Sequence, residues 1–191
     1  MKKAMMTPAV LFLVFSLAGC SSNQITSAYI EEEIASETQM QQTKTQMQQS
    51  ETDSFEKNTR IDDVINNPSF GEYGRLIFPV DTGYYSGDTL EELRLTWYNN
   101  ISPDKTVEIV NYLKKHADAG ETVFYDIYTE EEKKADPAKE DTGLFFFKGN
   151  PSEKFAVCNA GGGFAYVGAM QDSFPHALEL SKKGYNAFAL I

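Results

Sequence analysis

The sequence predicts an α/β fold, and three observations carry that reading. A β-branched and aromatic run, Phe155 to Cys158, leads into three consecutive glycines, Gly161, Gly162 and Gly163. An amphipathic stretch with helical spacing starts near Ser173 behind a capping residue and is closed by Gly184. A last apolar run spans Tyr185 to Ile191. Strand, glycine loop, helix and strand in that order make a βαβ unit of a parallel sheet, right-handed by the usual rule.

The chain opens with Lys2 and Lys3, followed by an almost unbroken apolar stretch from Ala9 to Ala18 and then Gly19-Cys20. A positive start, a short hydrophobic core and small residues before a cleavage point describe an export signal at residues 1–19, too short for a comfortable membrane span. Leu17-Ala18-Gly19-Cys20 resembles the bacterial lipobox. That resemblance implies a diacylglycerol on the Cys20 thiol and an extracytoplasmic protein tethered to a membrane by lipid. The alternative is an ordinary secretory signal with an incidental cysteine.

Residues 20–57 are rich in Ser, Thr, Gln and Glu, and TQMQQ occurs at Thr38–Gln42 and again at Thr45–Gln49. Only Met40 and Met47 would repeat on a heptad seam, so a low-complexity, disordered tether is expected rather than a coiled coil. The chain has 17 Lys+Arg against 28 Asp+Glu, a net charge of -11, which becomes −13 without residues 1–19 and their two lysines. That balance excludes nucleic acid and anionic headgroups as partners, since both require basic patches. With Cys20 lipidated, Cys158 has no disulfide partner and reads as a small core hydrophobe.

Residues 58–191 are expected to fold as one domain, in which a helical and loop segment precedes the sheet. RLIFPV (Arg75–Val80) reads as a strand with Pro79 at an edge or end. Asp88 and Glu91 have the spacing of a capping box for a short helix through Leu90 and Leu93. Tyr84, Tyr85, Trp97 and Tyr98 form an aromatic group that is either core or pocket lining, and Gly83 and Gly87 beside Tyr84 and Tyr85 favour a pocket. Ser102, Pro103 and Gly120 bound a helix whose apolar face is Val107, Ile109, Val110, Leu113 and Ala117. His116, in its last turn, reads as a solvated or capping residue. Glu121–Thr129 is predicted as a strand, Glu130–Asp141 as a charged hairpin-like connection, and Leu144–Lys148 as a strand buried on both faces.

Two nucleotide motifs fail at the glycine loop. A dinucleotide fingerprint needs glycine where Tyr166 stands, and a phosphate loop needs lysine where Ala169 stands. No cofactor or metal is therefore expected. What remains is a backbone that can approach a ligand closely and aim amides at a developing oxyanion, or a plain turn that lets strand and helix pack.

From Glu121 to Ile191, with NAGGGF (Asn159–Phe164) as its specific part, the sequence resembles the α/β-hydrolase superfamily. The resemblance implies a partial α/β-hydrolase sheet, its first strands and first helix, in a lipoprotein of esterase or lipase type. It implies an oxyanion hole with Gly162, Gly163 and Phe164 as candidate amide donors, and pocket lining by Tyr84, Tyr85 and Asn159. Related loops read HGGG, whereas here Asn159-Ala160 precedes the glycines and the usual His is absent. The implied substrate is a small ester or acylated glycan, and the implied chemistry that of a serine hydrolase.

No serine of the chain lies in G-x-S-x-G: Ser152 follows Pro151, Ser173 is in DSFP and Ser181 in ELSKKG. No catalytic Ser-Asp-His set can be named, and His176 reads as a surface helix residue. The sequence is thus expected to stop before the nucleophile elbow, leaving its final strand without partners. The competing class is a non-catalytic surface lipoprotein that binds rather than hydrolyses.

Overall fold

Apolar runs in the second half of the chain pair into a mixed four-stranded sheet. Its strands are β3 (Phe124–Asp126), β4 (Gly143–Phe147), β5 (Phe155–Asn159) and β6 (Asn186–Leu190), in the order β3-β4-β6-β5. β3 with β4 and β4 with β6 are antiparallel, whereas β5 and β6 run parallel in the register Val157 to Phe188. The computed structural model describes residues 54–98 and 102–191. The expected signal segment, Cys20 and most of the tether lie outside them. Among the described residues no helix is long and apolar enough to cross a membrane.

The fold is α/β, and both long helices follow their sequence signals. α2 (Pro103–Asp118) starts at Ser102, whose side chain accepts from the Lys105 amide. α4 (Ser173–Lys182) joins β5 to β6 and buries Phe174, Ala177 and Leu178 against the sheet. At the end of α4 the Gly184 amide donates to Ser181 and that of Tyr185 to Leu180, a Schellman closure with Gly184 at φ +94°. The two helices also meet through Lys105, Glu108, Glu179 and Lys182, with N–O distances of 2.5–2.8 Å. Hydrogen bonds and charge from Lys105 and Lys182 lower the Glu179 carboxyl to about 2.

Alternation along the strands sends Phe145, Phe147, Ala187 and Ala189 under the helices, where all four are fully buried. The opposite face carries Tyr125, Phe146, Phe188, Phe155 and Val157, and among the described residues Tyr125, Phe155 and Val157 on it are exposed. Its rings still meet one another, with Phe146 and Phe188 at 4.8 Å between centroids. This corrects the two-sided burial expected for residues 144–148: β4 is buried on alternate residues only. It also corrects the expectation for the final strand. β6 has β4 on one side and β5 on the other, and the free edges belong to β3 and β5.

The first half departs further from its sequence reading. Arg75–Val80 is not a strand: Gly71–Leu76 is a 3-10 helix, and Leu76, Ile77 and Phe78 are all buried. Three successive buried residues cannot alternate across a pleat, so this run plugs the core instead. No helix follows Asp88. The Glu92 carboxylate, not that of Glu91, accepts from the Asp88 and Thr89 amides. Leu90 and Leu93 are buried beside a two-stranded ribbon of β1 (Tyr85–Ser86) and β2 (Arg94–Leu95).

Phe55, assigned by sequence to the tether, is core. The Asn111 amide brackets its backbone N–H and C=O at 2.8 Å each, and its ring stacks on Phe70. The short helix α1 (Ile61–Ile65) packs Ile61 and Val64 into the same core. The connection at 130–141 is α3 (Glu130–Ala135), started by a full capping box of Thr129 and Glu132, then a 3-10 helix at Pro137–Asp141. That box, Thr-x-x-Glu, was readable in the sequence.

Candidate functional site

The loop between β5 and α4 leaves the sheet at the carboxyl end of a parallel strand, where open α/β sheets place ligands. It folds back on itself through three backbone bonds. The Gly168 amide donates to the Gly161 carbonyl at 2.9 Å, and the Gly162 carbonyl accepts from Ala165 at 3.0 Å and Tyr166 at 3.4 Å. Gly163 and Phe164, the central residues of that turn, have φ of +62° and +61°, the pairing of a type I′ turn. Gly162 has no room for a side chain, because a Cβ there would run into the Tyr166 carbonyl.

Asp172 holds the base of the loop. Its carboxylate accepts from the Gly161 amide at 2.9 Å and from the Tyr98 hydroxyl at 3.2 Å. A cap on α4 was expected from the sequence, but this carboxylate is spent on the glycine loop and α4 has no side-chain cap. Tyr166 ties the loop's other end, its hydroxyl donating to the Thr96 carbonyl. Burial, then the Asp172 charge, pushes the Tyr98 hydroxyl above its ordinary pKa, and burial does the same to Tyr166. Both therefore remain hydrogen-bond donors through neutral pH.

With the loop so held, three consecutive amides have nothing to bond. The N–H groups of Gly162, Gly163 and Phe164 donate to no acceptor among the described residues. Amides left without an intramolecular acceptor on an exposed turn can donate to an oxygen brought from outside. Beside them Trp97, Tyr166 and Tyr84 stack, with Tyr84 to Tyr166 at 4.8 Å and Trp97 to Tyr166 at 5.8 Å. Below Tyr166 opens a cavity of about 280 Å³ lined by Phe78, Pro79, Val80, Val167 and Ile191.

The structure thus brings Tyr84 onto Tyr166 of the glycine loop and onto Trp97, and sends Tyr85 elsewhere. Tyr85 turns toward Phe78 and lines a polar hollow with Arg60 and Asp62. Tyr84 closes a 3-10 turn at Thr82–Tyr84 and Tyr85 begins β1, so the two rings leave the chain in different directions. Asn159 ends β5 with its side chain exposed. Cys158, half-buried under α4, has its thiol pKa raised by burial and then by Asp172.

His176 is largely exposed on the first turn of α4, its Nδ1 2.7 Å from the Asp172 carbonyl oxygen and 3.6 Å from a carboxylate oxygen. His116 sits 2.6 Å from Glu121 and against the Tyr112 ring, far along the chain from the loop. Ser173 is buried with its hydroxyl unpartnered among the described residues, as is the Gln171 side-chain amide. No group of three His, Cys, Asp or Glu side chains among the described residues is arranged to hold a metal ion.

Sequence reasoning missed Asp172 and Tyr166. Asp172 was legible as a carboxylate one residue before a helix, but its use on a loop eleven residues back is tertiary information. No family model, no curated protein and no solved structure matches this chain.

Proposed function

We propose that this chain is an exported, lipid-anchored protein of the α/β-hydrolase type whose glycine loop is the oxyanion-binding half of a carboxylic-ester hydrolase site. The observation that carries the proposal is the trio of unbonded amides at Gly162, Gly163 and Phe164, held open by Asp172 and Tyr166 at the carboxyl end of β5. As an ester carbonyl becomes tetrahedral, negative charge collects on its oxygen. Fixed donors aimed there stabilise that charge without reorganising. The cavity under Tyr166, mostly apolar but with Asp81 and Asp141 in its lining, has room for a small acyl group.

Hydrolysis also requires a nucleophile and a base, and these 191 residues hold no serine in an elbow. In this reading the four strands belong to a hydrolase-type sheet, whose edges among the described residues are β3 and β5. Lipid attachment at Cys20 rests on Leu17-Ala18-Gly19-Cys20.

Methylphosphonate, a tetrahedral oxyanion mimic, tests the donors without needing turnover. Its titration should move the amide resonances of residues 162–164 and leave those of 184–186 in place, while p-nitrophenyl acetate is hydrolysed no faster than in buffer. Unmoved resonances at 162–164 would refute the oxyanion role. The anchor is tested separately: Cys20→Ser should leave the membrane fraction or remain unprocessed. The second reading, a non-catalytic surface module, is favoured by Nδ1 of His176 facing a carbonyl oxygen rather than a hydroxyl.

A further inference from the structure

The two edges of the four-stranded sheet are finished differently. β3 is three residues long and ends in Asp126, whose carboxylate Lys133 of α3 holds at 2.7 Å. A short edge that carries a charge resists pairing with a further strand. β5 is five residues long, Phe155-Ala156-Val157-Cys158-Asn159, with neither charge nor proline. Phe155 on it is 71% exposed and Val157 50%. Natural sheets blunt edges of that kind, so one left plain calls for an occupant.

Pairing with β6 fixes which backbone groups of β5 turn outward. The Asn186 amide donates to the Lys154 carbonyl, so in this parallel pair residues 154, 156 and 158 bond to β6. The amides and carbonyls of Phe155, Val157 and Asn159 therefore point to the edge. Among the described residues none of them has a partner.

A second copy of the chain matches this edge group for group. Set antiparallel about a two-fold axis through Val157, the strands place Val157 opposite Val157 and Phe155 opposite Asn159 in both directions. Each outward residue then exchanges both of its bonds with an outward residue, and the contact closes on itself as a two-fold contact must. An axis perpendicular to the sheet keeps the two faces in place. The side chains of Phe155 and Val157 then meet the second copy on the face that also holds Phe188, whose ring lies 6.4 Å from that of Phe155. Beyond the strand ends Lys154 falls opposite Ala160, and Glu153 opposite Gly161. No like charges face each other there, although the chain carries a net charge of -11.

We propose that β5 is a homodimer interface, at which two copies of this chain pair edge to edge and join their sheets into one. The pairing depends on neither the oxyanion reading nor the lipid anchor.

Sedimentation equilibrium of the full-length chain carrying Cys20→Ser, in reducing buffer, should give twice the monomer mass at high protein concentration. Between low and high concentration, amide exchange should slow about tenfold at Phe155, Val157 and Asn159 and stay constant at Phe124 and Asp126 on the other edge. Val157→Lys sets two lysines opposite each other and should leave a monomer. Should that variant fail to fold, Val157→Pro removes an outward donor only, spares the bonds to β6 and should also leave a monomer. Four results would overturn the proposal: a monomer at every concentration, a dimer that either folded variant leaves intact, species that grow beyond the dimer, or protection at Phe155, Val157 and Asn159 that does not depend on concentration, which would put a segment of the same chain over the edge.

Discussion

Two glycine turns bracket α4, and they treat their backbone amides in opposite ways. At Gly184 every amide from Lys183 to Asn186 is bonded, to Glu179 and Leu180, Ser181, Leu180 and Lys154 in turn, and the Gly184 carbonyl accepts from Asn150. At Gly161–Gly168 the ends are fastened by Asp172, Tyr98 and Tyr166, yet the three successive amides of Gly162, Gly163 and Phe164, and that of Val167, have no acceptor among the described residues. A turn that only reverses the chain satisfies its polar groups locally. A turn held from outside, whose own donors have no acceptor among the described residues, is what the oxyanion proposal requires.

Replacing Gly162 should break the contrast most severely. In Gly162→Val the Cβ meets the Tyr166 carbonyl, so the loop must rearrange, and urea unfolding should show a loss of about 3 kcal/mol. Asp172→Ala removes the acceptor for the Gly161 amide and the Tyr98 hydroxyl and should cost about 2 kcal/mol, with faster amide exchange at Gly161 but not at Gly184. Gly184→Ala is the control on the structural side. Strain at φ +94° and crowding against Asn150 should cost about 1 kcal/mol, leaving the resonances of 162–164 unchanged.

What could be read from the sequence divides along the same line as what is local. β4, β5, β6, α2 and α4 announce themselves through apolar period, caps and terminal glycines, and all five form close to where they were expected. Arg75–Val80 and Asp88–Leu95 misled because Leu76, Ile77, Phe78, Leu90, Leu93 and Leu95 are buried without periodicity, which a strand and a core plug share. The candidate site was legible in its glycines and in Tyr84, which tertiary contacts bring together. The residues that hold it, Asp172 and Tyr166, were not. Their partners lie in distant parts of the chain, and no local pattern encodes a contact from Tyr166 to Thr96.

The smallest effect concerns the far end of α4. Glu179, lowered to about 2 by Lys105 and Lys182, stabilises the folded state above its unfolded pKa near 4.5, and that contribution is lost as pH falls toward 2. Because the group is solvent-exposed, salt should erase most of the difference. Acid titration at low and at high ionic strength, followed by thermal melting, should show a shallow decline below pH 4.5 that high salt flattens and that Glu179→Gln lacks.

Amide hydrogen exchange, resolved residue by residue across both turns, tests the central claim most directly. The account predicts that Gly184, Tyr185 and Asn186 are protected about a hundredfold or more, while Gly162, Gly163 and Phe164 exchange at nearly the rate of an unstructured chain despite the bonded amides of Gly161 and Gly168 on either side. Protection at 162–164 equal to that at 184–186 would mean that the three amides already have partners, and the contrast between the two turns would be gone.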